Sequence, residues 1–228
     1  MPTDAHGAQA KIVRFLFNDQ MARAIVEGRK TVTRRPIVDA AGCYPPDHAA
    51  FYEYHWSVPA ACFSVPSFKP GVHWSARMPC APGDLLIGRE SWRPVMESWR
   101  SFVEYRAGGE LDVDGRALFV AERGIALRFP GAKKDVHTEK WHPSNHMPDW
   151  AARIRRRVLS VTVERVQDIT EEDAVREGFP AGRHGGTSAR NDFLCAWDDI
   201  YLNRGLASTV NPWVWRYEFG AENVEGEA

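Results

Sequence analysis

Cysteine is scarce in this chain, and its four copies, Cys43, Cys62, Cys80 and Cys195, lie far apart with no Cys-x-x-Cys pair. That argues against a zinc ribbon and a thioredoxin-like redox centre, and it fits a reducing, cytoplasmic compartment. Long apolar runs are missing too: no stretch reaches the roughly eighteen residues that a membrane-spanning helix needs, so no membrane partner is expected. Residues 1–11 are polar and lack a signal-peptide core, so secretion is not expected. There is no excess charge, with 29 Lys plus Arg against 30 Asp plus Glu and a net charge of −1, so any contact with nucleic acid must be local. The chain has no Gly-rich phosphate loop, no Gly-x-Ser-x-Gly elbow and no His-Glu-x-x-His pair, which removes the commonest nucleotide-enzyme and hydrolase classes. His137, His142 and His146 have no cysteine or carboxylate at ligand spacing, so neither a metal nor another cofactor is expected.

What the chain has is a dense cationic segment, Gly28-Arg29-Lys30-Thr31-Val32-Thr33-Arg34-Arg35. Asn18 or Asp19 can cap a helix whose apolar residues Met21, Ala22, Ile25 and Val26 recur at helical spacing, and Gly28 supplies the positive φ that ends it. The β-branched run after Lys30 predicts a strand over residues 30–38, with Pro36 at an edge or bulge. Period two places Thr31, Thr33 and Arg35 on one face, which Lys30 joins if it sits in the preceding turn. The alternative is a solvated basic edge strand.

The rest of the chain reads as one mixed α+β domain over residues 12–220, with flexible tails at 1–11 and 221–228. A first strand is expected at residues 12–17 and another at 85–92, launched by a Pro82-Gly83 type II turn. Two irregular insertions are expected, at about 39–80 and 94–150. Residues 36–82 hold eight of the fifteen prolines beside many aromatics, which predicts an ordered loop layer. Residues 102–106 and 117–120 are short strand candidates within the second insertion. A strand over residues 153–166 shows an imperfect period of two that suggests a bulge. Thr170-x-x-Asp173 opens a short helix ending at Gly178, and an amphipathic helix follows over 189–202 with Phe193, Leu194, Trp197, Ile200 and Tyr201 as its stripe.

Residues 24–35 resemble the Gly-x-Lys-x-x-Thr-x-Arg signature of ASCH domains, small β-barrels similar to the PUA domains that bind RNA. Three more segments are similar in the expected order: residues 82–92 (PGDLLIGRESW), 169–178 (ITEEDAVREG) and 211–219 (NPWVWRYEF). The chain most resembles the larger phage and prophage members. The resemblance implies a PUA-like barrel with about three helices and, as activity, amide hydrolysis of N4-acylated cytosine nucleosides. It also implies catalytic roles for Lys30, Thr33 and Glu177. Thr33 Oγ or a neighbouring water can attack a carbonyl if Lys30, its pKa depressed by burial or nearby cations, takes the proton. Glu177 can then relay it to the leaving nitrogen while Arg35 or a backbone N–H steadies the oxyanion. Which of Lys30 and Thr33 is the nucleophile stays open.

Glu177 also stands out on physical grounds. It falls in the last turn of its helix, where the macrodipole disfavours a negative charge by roughly 0.3–1 kcal/mol at an exposed site, so something should offset it. A Lys30–Glu177 ion pair that only staples two elements together is the non-chemical alternative.

Further binding candidates are Arg29, Arg34 and Arg35; Glu90, which can join the same pocket or pair with Arg34 or Arg35; and Trp141, Ser144 and His146 in a proline-bracketed loop suited to stacking on and bonding to a base. Arg155 and Arg157 share a strand face with Arg153 and form a basic stripe for phosphate or solvent. The expected partner is RNA or a modified nucleoside, with a non-catalytic RNA-binding module or a phage-related assembly factor as the alternatives.

Overall fold

The computed structural model describes residues 10–38, 50–55, 60–64, 73–96, 101–112, 126–127, 136–137, 140–180, 188–221 and 223–224. Among the described residues, thirteen strands and three α-helices follow one another along the chain. They are β1 (Ile12–Leu16), α1 (Asp19–Val26), β2 (Val32–Pro36), β3 (Ala50–His55), β4 (Ala60–Ser64), β5 (His73–Arg77), β6 (Leu85–Arg89), β7 (Trp92–Met96), β8 (Ser101–Tyr105), β9 (Glu110–Asp112), β10 (Ala126–Leu127), β11 (Val136–His137), β12 (Ile154–Arg165), α2 (Glu171–Arg176), α3 (Ala189–Tyr201) and β13 (Trp213–Phe219).

The largest sheet has the order β1-β6-β12-β13-β2. It is mixed. The bonds Leu85 N–H to Lys11 C=O and Phe17 N–H to Arg89 C=O advance in the same chain direction, as in a parallel pair, whereas β12–β13 and β13–β2 are antiparallel. The order ends at β1 and β2, so among the described residues this sheet is open and the expected closed barrel is not formed. Closure requires hydrogen bonds between the two edges.

Three smaller sheets, β3-β4-β5, β7-β8-β9 and β10-β11, accompany it. The first lies in the expected proline-rich loop layer and corrects that expectation. Strands of five or six residues fit between the prolines, and their antiparallel ladders satisfy the backbone. The expected strand at residues 117–120 and most of both tails lie outside the described residues; within the C-terminal tail, expected to be flexible, Val224 N–H donates to Arg155 C=O and Asn223 Oδ1 accepts the Arg155 N–H, both at 3.0 Å.

The chain divides into two compact units. One comprises Met1–Val13, Gly28–Leu85 and Arg157–Ala221; the other comprises Arg14–Glu27, Leu86–Arg156 and Glu222–Ala228. In the first unit, Pro82-Gly83 makes the expected turn: Gly83 has φ 94° and Asp84 N–H donates to Ala81 C=O at 3.1 Å. The Asp84 carboxylate accepts from the N–H groups of Ala81 and Lys11, tying the turn to the residue before β1.

The irregular period in β12 is a bulge. The register to β13 shifts between Val158 and Ser160, and the residue between them, Leu159, is exposed. Ser188 caps α3, and its buried line Ala189, Phe193, Trp197 and Tyr201 follows strict i+4 steps. That line is narrower than the expected stripe: Leu194 is half-buried, and Ile200, one residue off the line, is exposed.

In the second unit α1 runs as expected, with Asn18 Oδ1 accepting the Met21 N–H at 2.8 Å and Ala22, Ala24 and Ile25 buried. Glycine at residue 88 makes room for Ile154, since a Cβ there would lie 2.6 Å from Ile154 Cγ2 and would force that side chain to shift. The predicted strand over residues 85–92 is interrupted at Glu90 and Ser91, and Trp92 begins β7 in a different sheet.

Candidate functional site

The candidate centre is built where α2 stops, within the first unit. Thr170 Oγ1 caps the helix by accepting the Asp173 N–H. At the other end Gly178, with φ 99°, donates to Val175 C=O while Phe179 N–H reaches Ala174 C=O, the two bonds of a Schellman ending that leave Glu177 as the C-cap. The carbonyls of that last turn need donors, and the residues entering β2 supply them: Thr31 N–H bonds Arg176 C=O, and Lys30 Nζ bonds Glu177 C=O, both at 2.9 Å. What offsets the acidic residue at this helix C-terminus is Lys30, whose Nζ also donates to Glu177 Oε2.

Strand alternation places Arg34 on the face that α2 and α3 cover. Its guanidinium lies 5.8 Å from the centre of the Phe193 ring, and each of its nitrogens meets a different carboxylate. Nε donates to Glu164 at 2.6 Å, Nη2 to Asp173 at 2.6 Å and Nη1 to Glu177 at 3.1 Å. Asp173 is also bonded by Arg216 through two nitrogens, at 2.9 and 3.0 Å, and Arg176 bonds Glu218. Among the described residues the result is one network of four cations, Lys30, Arg34, Arg176 and Arg216, and four carboxylates, Glu164, Asp173, Glu177 and Glu218.

The electrostatics follow from burial. Lys30 is only 2% exposed, and this desolvation pulls its pKa below that of an ordinary lysine; Glu177 opposes the shift, and Arg35 and Arg34 add to it. Burial lifts the Glu164 carboxyl, against the pull of Arg34. Burial alone would raise Asp173, but its hydrogen bonds from Arg216 and Arg34 outweigh that and bring it down to about 2.

The structure thus brings Lys30 and Glu177 together and adds Arg34, where Arg35 was expected. Thr33 is buried, but its register partner is Tyr217, and alternation sets it on the strand face opposite Arg34. Thr33 and Arg35 therefore do not share the face that carries Arg34 and the carboxylates. Arg29 is exposed at the turn before Lys30.

Asp173, Arg216 and Glu164 were missed from sequence. Asp173 left a signal, four residues before Glu177 on one helix, whereas Arg216 comes opposite Arg34 only through the pairing of β13 with β2.

The remaining candidates belong mostly to the second unit. Glu90 is fully buried and pairs with Arg153 through two bonds of 2.9 Å, which corrects the expected pairing with Arg34 or Arg35. Arg153 in turn lies 4.1 Å from the Tyr105 ring centre, and Tyr105 donates its hydroxyl to Ala151 C=O. Trp92 and His142 face each other through two backbone bonds and stack at 5.1 Å. Trp141 lies against the guanidiniums of Arg93 and Arg106 at 4.9 and 5.0 Å. Ser144 and His146 occupy a short 3-10 turn, with His146 exposed.

The expected stripe is already engaged. Arg155 donates to Asp149 C=O and, in the first unit, Arg157 donates to Gly83 C=O. Among the described residues no group of three or more His, Cys, Asp or Glu is placed to hold a metal ion, and no helix is long and apolar enough to cross a membrane.

Compared with known proteins, the chain matches no family model, no curated protein and no solved structure.

Proposed function

We propose that this protein is a nucleoside-directed amidohydrolase of the ASCH type, acting on N4-acylated cytosine nucleosides. The observation that carries the reading is Lys30, a nearly solvent-free lysine with a depressed pKa, bonded to both the carboxylate and the carbonyl of one glutamate. Burial loosens the hold of Lys30 on its proton, and the carboxylate bonded to the same nitrogen is suited to exchange a proton with it.

With Thr33 on the other strand face, water is the better nucleophile. Its oxygen adds to the acyl carbon as the Lys30–Glu177 couple takes its proton. The C–N4 bond then breaks as that proton moves to the departing nitrogen, leaving a carboxylic acid and cytidine. Arg34 holds the Glu177 carboxylate in place.

The test follows deacetylation of N4-acetylcytidine by ultraviolet absorbance, and turnover by the wild type that depends on Lys30 and Glu177 is the expected result. A wild type that cleaves no N4-acylated nucleoside across a panel of acyl groups removes the reading.

A further inference from the structure

We propose that Asp173 and Glu164 are positioning residues for the Lys30–Glu177 pair: by engaging two of the three nitrogens of Arg34, they limit that arginine to one bond on Glu177 and keep the other carboxylate oxygen for Lys30. The inference rests on the hydrolase reading for its catalytic consequence, whereas its geometric half is measured on the protein without substrate.

The partners of Arg34 are unequal. Nε meets Glu164 and Nη2 meets Asp173, both at 2.6 Å, whereas Nη1 reaches Glu177 Oε1 at 3.1 Å. A guanidinium facing a single carboxylate pairs with it through two parallel bonds, and such a fork on Glu177 would occupy both of its oxygens. The outer carboxylates prevent this, because with Nε and Nη2 engaged no fork is left over for Glu177.

Asp173 acts in a second way. Arg216 stands directly opposite Arg34 in the β13–β2 ladder, a like-charge pair that is unfavourable by itself. Asp173 bonds both, taking Arg34 Nη2 and two nitrogens of Arg216 at 2.9 and 3.0 Å. Helix α2 delivers it: Asp173 and Glu177 are four residues apart and share a helix face, and Thr170 Oγ1 caps the first turn through the Asp173 N–H, independently of the Asp173 side chain. Without the Asp173 charge, Arg34 is released at Nη2 and repelled by Arg216, and Glu177 becomes its nearest free attraction. Arg34 then competes with Lys30 for Oε2. The charged groups acting on Lys30 are Glu177 from α2 and Arg35 and Arg34 from β2, so the effect of Asp173 and Glu164 reaches Lys30 through Arg34 and Glu177.

The experiment has two readouts on the full chain. Nitrogen NMR of lysine-labelled protein follows the Lys30 ammonium across pH, its signal being the one that Lys30→Met lacks, and absorbance gives kcat and KM on N4-acetylcytidine. Asp173→Asn and Glu164→Gln should each move the Lys30 midpoint to lower pH, because Lys30 loses part of the carboxylate that holds its proton. Each should also lower kcat by roughly tenfold to a hundredfold with KM changed by less than about threefold. Asp173→Glu, which keeps the charge, should recover most of kcat. Glu218→Gln removes a carboxylate that bonds Arg176 and Arg216 but not Arg34, and it should move both readouts less than either variant. Asp173 lies on α2 and Glu164 on β12, with side chains 18% and 22% exposed, so one variant remains readable if the other does not fold. Equal shifts in all three charge-removing variants would reduce the effect to net charge and overturn the proposal, as would an unmoved midpoint or an unchanged kcat in Asp173→Asn and Glu164→Gln. A wild type that cleaves no N4-acylated nucleoside removes the hydrolase reading instead, and the Lys30 midpoints then decide by themselves whether the outer carboxylates act through Arg34.

Discussion

Replacing Glu177 by Gln tests the charge network and the chemistry in one variant. Both carboxylate oxygens are engaged, one by Lys30 and one by Arg34, and Lys30, Arg34 and Glu177 are each 4% exposed or less. Glutamine keeps the shape but offers one acceptor and one NH₂, so whichever cation meets the NH₂ loses its bond and faces a donor. The network also drops to three carboxylates against four cations. Removing one partner of a buried pair costs about 3–5 kcal/mol. At roughly 2–4 °C per kcal/mol for a chain of this length, the melting temperature should fall by about 6–20 °C at neutral pH.

The pH dependence has a definite sign. Lys30 has a lowered folded pKa, so the unfolded chain binds its proton more readily and the Lys30 contribution to stability rises with pH. Losing Glu177 lowers that pKa further, so the deficit of the variant should narrow as pH rises and Lys30 becomes neutral. Lys30→Met should cost less than Glu177→Gln, because Glu177 keeps Arg34 and the replacement is apolar and of similar length.

Stability alone does not separate a staple from a catalytic pair, but turnover of the folded fraction does. A proton-transfer role predicts a fall in kcat of roughly 10²–10⁴, and a staple predicts none. A melting temperature within about 1 °C of wild type would refute the charge argument itself.

Three further outcomes are expected. The acid limb of stability should carry a contribution from Asp173, fully present above the ordinary carboxylate pKa of 3.8 and lost as pH falls toward about 2; Asp173→Asn should flatten that part of a pH–melting curve. Gly88→Ala should lower the melting temperature by about 2–12 °C, from an overpacking cost of about 1–3 kcal/mol against the buried Ile154 side chain, as read by thermal unfolding. Hydrolysis, assayed by absorbance, should survive EDTA, since the proposed chemistry draws its cation from Lys30; full loss restored by zinc would overturn that.

Local signals located most of the elements. Asn18, Thr170 and Ser188 each accept the backbone N–H three residues on, as helix caps do, and Gly28, Gly178 and Gly205 take the positive φ that ends a helical turn. The bulge in β12 was visible as a fault in the period of two. What local pattern could not supply was long-range pairing. Whether an edge strand closes onto another depends on residues far apart in the chain, and so do the partners of Glu90 and of Arg34. The short strands β3–β5 escaped for a different reason: proline density argues against long elements, and strands of five or six residues fit between the prolines.

The charge balance of the network constrains how it can work. Four cations facing four carboxylates make a neutral assembly, so the folded state tolerates them at this depth only while all remain paired. A proton moving from Lys30 to Glu177 converts one ion pair into two neutral groups and leaves the net charge of the network unchanged. Moving a proton out of the network leaves an uncompensated charge. The geometry therefore favours proton exchange within the Lys30–Glu177 pair over release to solvent. In the proposed route, the proton that the pair takes from water goes on to the departing nitrogen, so the network is neutral again at the end of each turnover.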